Sequence, residues 1–497
     1  MFEFRSTWGK RALAGMGALT LAAAGMLGGS AAASAAPSFG NIDETADGSI
    51  IIHKHKHQVG TDAVQNPAGD GAAIPSAGIA GVVFTAFRIT DLDLTDPAVW
   101  DNLDQLDPAG VCDLPDNTLG TGIVSAATDA DGLTTIDVPT IGAYLVCETS
   151  APDDVVERAL PFVVTIPFPW QDGWLYDVNV YPKNGTSSIT KTITPQTELG
   201  LGSVVSFPVT TEVPAVRPDG SLANYVISDT LDPRLTPAGI ASITVDGVAV
   251  PATYYDVDTA GQTISVTFNA DGLEWLKSQA QKKIITTFKG TVVEVGSGTI
   301  TNEAVVLVND HELTSNEVTT NWGDVKVLKT DVSTPAVGLA GAEFEVYNAV
   351  APYGDCAAAV STGTALSVET AGDGGQTVFT SNAAGLVYIS GLFVSDSVNP
   401  VINATERCYV LKEIKAPAGF ITPTGTAAFT PVAVKTGMTA EGTYDVTIAN
   451  TQQDVPELPL TGANGQMIMI AGGSAVLLIS VGLVLVNRRR ASASDKV

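Results

Sequence analysis

An internal repeat written in strand-length segments constrains this chain more than any other feature. "GSIIIHKHK" and "IAGVVFTAFRI" early in the chain return later as "GDVKVLKTD" and "LAGAEFEVYNA". "TDADGLTTIDVPTIGAYLVCETSAP" returns as "TSNAAGLVYISGLFV" followed by "CYVLKEIKAPAGF". Each segment is a β-branched or aromatic run bounded by Gly, Pro, Asn or Asp, which is how strands joined by turns are spelled. Only residues 269–283, "NADGLEWLKSQAQKK", read as a helix. The expected fold class is all-β, with two copies of one sandwich domain flanking a third. A length of 497 residues and 45% hydrophobic content supply about three cores.

Asn184-Gly185 and Trp322-Gly323 mark the expected breaks, giving domains over residues 50–184, 185–323 and 324–453. Residues 36–49 and the linker over 454–466 are expected to be flexible. The formal net charge of −28 argues against nucleic acid and anionic membrane surfaces as partners.

Both ends carry addresses. Lys10 and Arg11, an apolar run and "ASA" before Ala36 make residues 1–35 a secretory signal, cleaved after Ala35. Export implies oxidising surroundings, so Cys112, Cys147, Cys356 and Cys408 are read as disulfides; their two distant pairs favour Cys112 with Cys147 and Cys356 with Cys408. Residues 467–486 are uncharged and span about 30 Å as a helix, enough to cross a bilayer. The tail over 487–497, with Arg488, Arg489 and Arg490, should stay cytoplasmic. Just upstream stand Leu458, Pro459, Leu460, Thr461 and Gly462, the LPxTG pattern. Motif, helix and arginines together resemble the cell-wall sorting signal of Gram-positive surface proteins. The resemblance implies a sortase thiolate attacking the Thr461 carbonyl and passing the acyl group to an amine, so that the helix is a temporary holder.

Three side chains pose a burial problem. In "YVLKEIKAPAGF" strand alternation places Tyr409, Leu411 and Glu413 on one face, so the Glu413 carboxyl falls in an apolar row where burial raises its pKa. In "DVKVLKTD" Val325, Val327 and Lys329 share a face, and burial lowers the lysine toward a nucleophilic amine. Asn450 ends the last strand, "TYDVTIANTQQ". A protonated Glu413 polarising the Asn450 amide would let Lys329 expel ammonia and leave an intramolecular isopeptide bond.

"YVLKEIKAPAGF" is similar to the E-box of sortase-assembled pilins of Gram-positive bacteria, departing by Ile414 and Phe420 from the usual YxLxETxAPxGY. "VYPKN", Val180 to Asn184, matches the pilin motif of the same family, whose lysine attacks the acyl-sortase of the next subunit. The chain most resembles actinobacterial shaft pilins, of the Actinomyces and Corynebacterium type. The resemblance implies a rod of immunoglobulin-like, Cna-type sandwiches, B-type at each end and A-type in the middle, and an intermolecular amide between Lys183 and Thr461. In the middle domain it implies Lys191, Asp229 and Asn302, with Asn316 a competing acceptor; in the N-terminal domain it implies Lys54, Glu148 and Asn179. Implied partners are pilus and housekeeping sortases, further copies of the chain, tip and basal pilins, peptidoglycan and host surface receptors. The implied location is a cell-wall-anchored fimbrium.

Other chemistry is thinly represented. His53, His55 and His57 share one strand face without a closing pair of ligands, and Asp129 with Asp131 in "TDADG" is a hairpin turn lacking a calcium loop's downstream acid, so neither is taken as a metal site and no cofactor is expected. Neither GxSxG nor HExxH occurs, and the expectation is a structural protein rather than an enzyme. The rival reading is a monomeric wall-anchored adhesin or a minor pilin at the tip or base, in which Lys183 is a surface lysine.

Overall fold

The computed structural model describes residues 42–59, 63–101, 103, 106, 112, 119–370, 374–453, and 478, 479, 481 and 483. The signal segment, the sorting motif with Thr461 and, apart from those four positions, the expected membrane helix lie outside the described residues. Among the described residues no helix is long and apolar enough to cross a membrane.

The N-terminal domain is a sandwich built by alternation. Strand Gly48–His53 lies between Asp177–Val180, which runs parallel to it, and the antiparallel Leu133–Val138. The facing sheet runs in the order Ile123–Val124, Val83–Arg88, Gly142–Ser150, Phe162–Ile166. Ile50, Ile52 and Val178 from one sheet meet Phe84, Ala86, Tyr144 and Val146 from the other, all buried in one cluster. The first sheet continues past Lys54 as His55–Lys56 paired parallel with Lys183–Thr186, which in turn pairs with Val155–Glu157. Asn184-Gly185 is therefore not a turn but the middle of a strand. Gly185 is required there by close approach, since a Cβ would stand 2.8 Å from the Ala215 carbonyl.

The middle domain packs two five-stranded sheets. One runs Ile189–Lys191, Val204–Glu212, Lys283–Val292, Leu235–Val245, Val248–Ala249; the other runs Tyr255–Ala260, Thr263–Phe268, Tyr225–Thr230, Ala304–Val308, His311–Thr314. The helix covers Ala270–Lys277, opened by the Asn269 side chain accepting from the Gly272 amide. It is shorter than its sequence suggests, because Gln281 takes a left-handed φ of 64° and the chain re-enters a strand at Lys283.

Strand Val318–Asp331 is 14 residues long and belongs to two domains. Its first part pairs with Thr299–Asn302 and its length with Leu386–Asp396, while its end pairs in parallel with Val446–Asn450. The expected break at Trp322-Gly323 thus falls inside continuous strand. The opposite sheet of the C-terminal domain runs Ser361–Thr362, Glu343–Ala349, Glu406–Lys415, Phe429–Lys435. The middle and C-terminal cores merge into one buried cluster that includes Phe207, Trp322 and Phe344. Residues of the middle domain also reach across: Phe393 donates its amide to the Leu199 carbonyl at 2.9 Å and Glu369 to that of Leu201 at 2.8 Å. Both disulfides form as paired in the sequence, Cys112 with Cys147 and Cys356 with Cys408.

Candidate functional site

Each sandwich buries a lysine, a carboxylic acid and an asparagine close together. Lys54, Lys191 and Lys329 are 0, 4 and 0% exposed, which for a primary ammonium demands a partner or a lost proton.

In the N-terminal domain the Lys54 amine donates to Glu148 Oε2 at 2.7 Å and to Asn184 Oδ1, and the Asn184 amide donates to Glu148 Oε1 at 2.8 Å. The three side chains close a ring. Asn184 Oδ1 also accepts the Ala159 main-chain amide at 2.7 Å, a donor placed where negative charge would develop if the amide carbon were attacked. Burial pulls the Lys54 amine down to about 8, against the pull of Glu148 in the other direction.

Asn179 is not part of this ring. It stands opposite Ile51 in the parallel pairing, and its side chain is spent on His53 at 2.8 Å and on the Pro67 carbonyl at 3.1 Å. The residue that sequence reasoning missed is Asn184, and the internal repeat held the signal for it. In the C-terminal domain Asn450 pairs with Asp331, two residues after Lys329; in the N-terminal domain Asn184 pairs with Lys56, two residues after Lys54. The acids repeat as well, Glu413 opposite Phe344 and Glu148 opposite Phe84.

The middle domain brings Lys191, Asp229 and Asn302 together. Lys191 Nζ donates to Asp229 Oδ2 at 2.5 Å and to the Glu303 carbonyl at 3.2 Å, and Asn302 Nδ2 donates to the same Asp229 oxygen at 3.3 Å. Burial lowers Lys191 to about 8, opposed by the Asp229 charge, and burial raises Asp229, opposed by Lys191 and then Asn302. Asn302 is 3% exposed, whereas Asn316 is exposed and bonds the main chain of Lys191 rather than its amine. A cleft of about 310 Å³, lined by Thr230, Asn302, Glu303 and Thr314 among others, opens onto the asparagine.

In the C-terminal domain Asn450 donates to Glu413 Oε1 at 2.6 Å, and Lys329 Nζ donates to the carbonyls of Ile448 at 3.0 Å and Thr330 at 3.3 Å. Burial lowers the lysine, opposed by Glu413, and raises Glu413, opposed by the Asn450 hydrogen bond and by Lys329. Tyr409, Leu411 and Glu413 are all buried, as are Val325 and Val327 beside Lys329. Glu413 Oε2 is buried without a hydrogen-bond partner, as are Asp229 Oδ1 and Asn302 Oδ1.

Lys183 sits on strand Lys183–Thr186 opposite His55, half-buried, one residue before Asn184. The three histidines nearby diverge: His53 stacks on Tyr181 with ring centroids 4.8 Å apart, His55 meets the Ser76 carbonyl, and His57 faces Glu157. Asp129 accepts from the amides of Asp131 and Leu133, which makes "TDADG" a turn.

Repeated sandwiches with a buried Lys, acid and Asn, followed by a wall-sorting motif, define a surface-fibre subunit, and the chain belongs to the fimbrial subunits of Gram-positive bacteria. Residues 45–185 match the Gram-positive pilin subunit D1, N-terminal domain, and residues 450–492 match the LPXTG cell wall anchor motif. The chain is 38% identical to the fimbrial subunit type 2 of Actinomyces naeslundii over 98% of its own length and 97% of that protein's. It is 29% identical to the fimbrial subunit type 1 of Actinomyces viscosus, over 97 and 98% of the two lengths. Among solved structures it resembles the full-length major pilin SpaD from Corynebacterium diphtheriae, with a TM-score of 0.68 at 26% identity over 84% of this chain and 99% of that one. It is a structural pilin of a cell-wall-anchored surface fimbrium.

Proposed function

We propose that this chain is the repeating shaft subunit of the fimbrium, joined head to tail through an amide between Lys183 of one copy and Thr461 of the next. The observation that carries this reading is the position of Lys183: it lies in the VYPKN sequence on the last strand of the pilin domain, at the boundary with the middle domain. A sortase thiolate attacks the Thr461 carbonyl, the peptide bond to Gly462 breaks, and its nitrogen leaves as a protonated amine. The Lys183 amine then attacks the thioester, the threonyl acyl group passes to Nζ, and the thiolate is regenerated. Repetition gives an open, non-closing filament. A housekeeping sortase transfers the last subunit to peptidoglycan, and tip and basal pilins and host receptors complete the set of partners.

Within each subunit the lysine Nζ attacks the asparagine Cγ, the C–N bond to the amide nitrogen breaks, and ammonia leaves. The acid, which holds the asparagine amide nitrogen by a hydrogen bond, moves a proton from the attacking amine to the departing one. The pairs are Lys54 with Asn184 through Glu148, Lys191 with Asn302 through Asp229, and Lys329 with Asn450 through Glu413. The test of the shaft role is Lys183→Ala in the fimbriate host. A wall extract that loses its high-mass ladder and keeps anchored monomer fits the proposal; an unchanged ladder overturns it and favours a chain that is only decorated or anchored.

A further inference from the structure

Lys191 ends strand Ile189–Lys191 of one five-stranded sheet and Asn302 ends strand Thr299–Asn302, which pairs with Val318–Asp331 in another sheet, and something must hold the two strands at reacting distance before any bond exists. Strand Ile189–Lys191 is the outermost of its sheet, paired on one side only with Val204–Glu212. An edge strand leaves outward amides and carbonyls without ladder partners. At Lys191 both are taken by one side chain: the Lys191 amide donates to Asn316 Oδ1 at 2.9 Å, and Asn316 Nδ2 donates to the Lys191 carbonyl at 3.0 Å. The asparagine amide thus stands in for the missing neighbouring strand.

The residue before it does the same to the other reactant. Ser315 donates its amide to the Ala304 carbonyl at 2.8 Å, and its hydroxyl oxygen accepts the Ala304 amide at 3.0 Å. Ala304 lies two residues beyond Asn302. The Ser315 hydroxyl also donates to the Asn316 carbonyl at 2.9 Å, which ties the two halves of the grip together.

We infer that Ser315 and Asn316 are positioning residues for the middle-domain isopeptide reaction, a clamp that sets the register between the lysine strand and the asparagine strand; this deepens the proposed Lys191–Asn302 bond and rests on it. Neither side chain touches the reacting atoms. The clamp fixes the main chain at Lys191 and at Ala304, so the side-chain torsions of Lys191 and Asn302 are the main freedom left between Nζ and the Asn302 Cγ. Register of this kind governs rate steeply, since a misplacement of about 1 Å can cost about a hundredfold.

The experiment follows the full chain in its secreting host after pulse labelling, with intact mass and peptide mapping reading each of the three bonds over time. In Asn316→Ala the middle-domain bond is expected to form at least about tenfold more slowly, while the Lys54 and Lys329 bonds of the same molecules form on time. Asn316→Asp keeps the acceptor for the Lys191 amide and loses the donor to its carbonyl, and should fall between the two; Ser315→Ala tests the other half. A purely structural role is read separately by melting Asn316→Ala in an Asp229→Ala background, where no bond forms and the added loss should be small. A middle-domain bond that forms on schedule in Asn316→Ala overturns the clamp. So does a mapped peptide joining Lys191 to Asn316. A parent chain that never loses the middle-domain ammonia overturns the bond itself, a failure visible before any variant is made.

Discussion

Lys183 and Asn184 are neighbours on one strand and present opposite faces: Asn184 is wholly buried against Lys54, and Lys183 is half-buried one residue before it. In the proposed reading, the lysine offered to another molecule and the asparagine offered to the subunit's own core are set by the same two-residue alternation.

The ring around Asn184 adds a third ammonia loss to those of the middle and C-terminal sites. Intact mass of the exported chain ending at Thr461, followed by peptide mapping, is expected to show Lys54 joined to Asn184, Lys191 to Asn302 and Lys329 to Asn450. Asn184→Ala should abolish one loss, and Asn179→Ala should abolish none. A bond mapped to Asn179 would overturn the N-terminal assignment.

Glu413→Ala should leave Lys329 and Asn450 unjoined. A cross-link closing a loop of this size, from Lys329 to Asn450, is worth on the order of 5 kcal/mol by the chain-entropy estimate used for disulfides. The variant should therefore unfold at clearly lower urea concentration than the parent. Equal midpoints would mean that no bond was lost.

The pH dependence of the middle-domain reaction follows from its coupled pair. Lys191 is depressed to about 8 and Asp229 is raised above 3.8, and between these values the charged pair and its neutral tautomer hold the same number of protons. The rate of bond formation should be flat across that range. It should fall at low pH, where Asp229 can no longer take the lysine's proton, and above about 8, where the pair has lost the proton that Asp229 must supply. A rate that keeps climbing in alkali would contradict this.

The same depression makes a stability prediction for Asn302→Ala, in which Lys191 stays an amine. Its folded value of about 8 lies below the ordinary 10.5, so the unfolded chain binds more protons between them and stability rises with pH across that window. In the bonded parent the nitrogen is an amide and does not titrate. The difference in melting temperature between variant and parent should shrink from pH 8 to 10.5, as calorimetry of the two side by side would show.

Much of this was legible in the sequence because strand alternation is a rigid rule. Tyr409, Leu411 and Glu413, and likewise Val325, Val327 and Lys329, could be assigned to one face by counting in twos. What counting could not supply was pairing between distant strands. Asn184-Gly185 reads as a turn by composition, yet here the glycine is present because the Ala215 carbonyl comes too close for a side chain. Asn302 ends a strand and Asn316 lies in the short loop after another, and only the tertiary register separates the proposed acceptor from the residue holding the lysine's main chain. The helix ended early for a comparable reason, the chain turning at Gln281 to meet a strand partner.

Strand Val318–Asp331 bears on how such chains can be rearranged by recombination. A crossover at Trp322-Gly323 would splice two halves of one strand whose edges were each shaped by a different domain, and Gly323 leaves no tolerance, since a Cβ there would stand 1.9 Å from the Lys435 carbonyl. The middle and C-terminal domains therefore act as one unit for recombination: a crossover there needs parents that share both the register of this strand and its glycine.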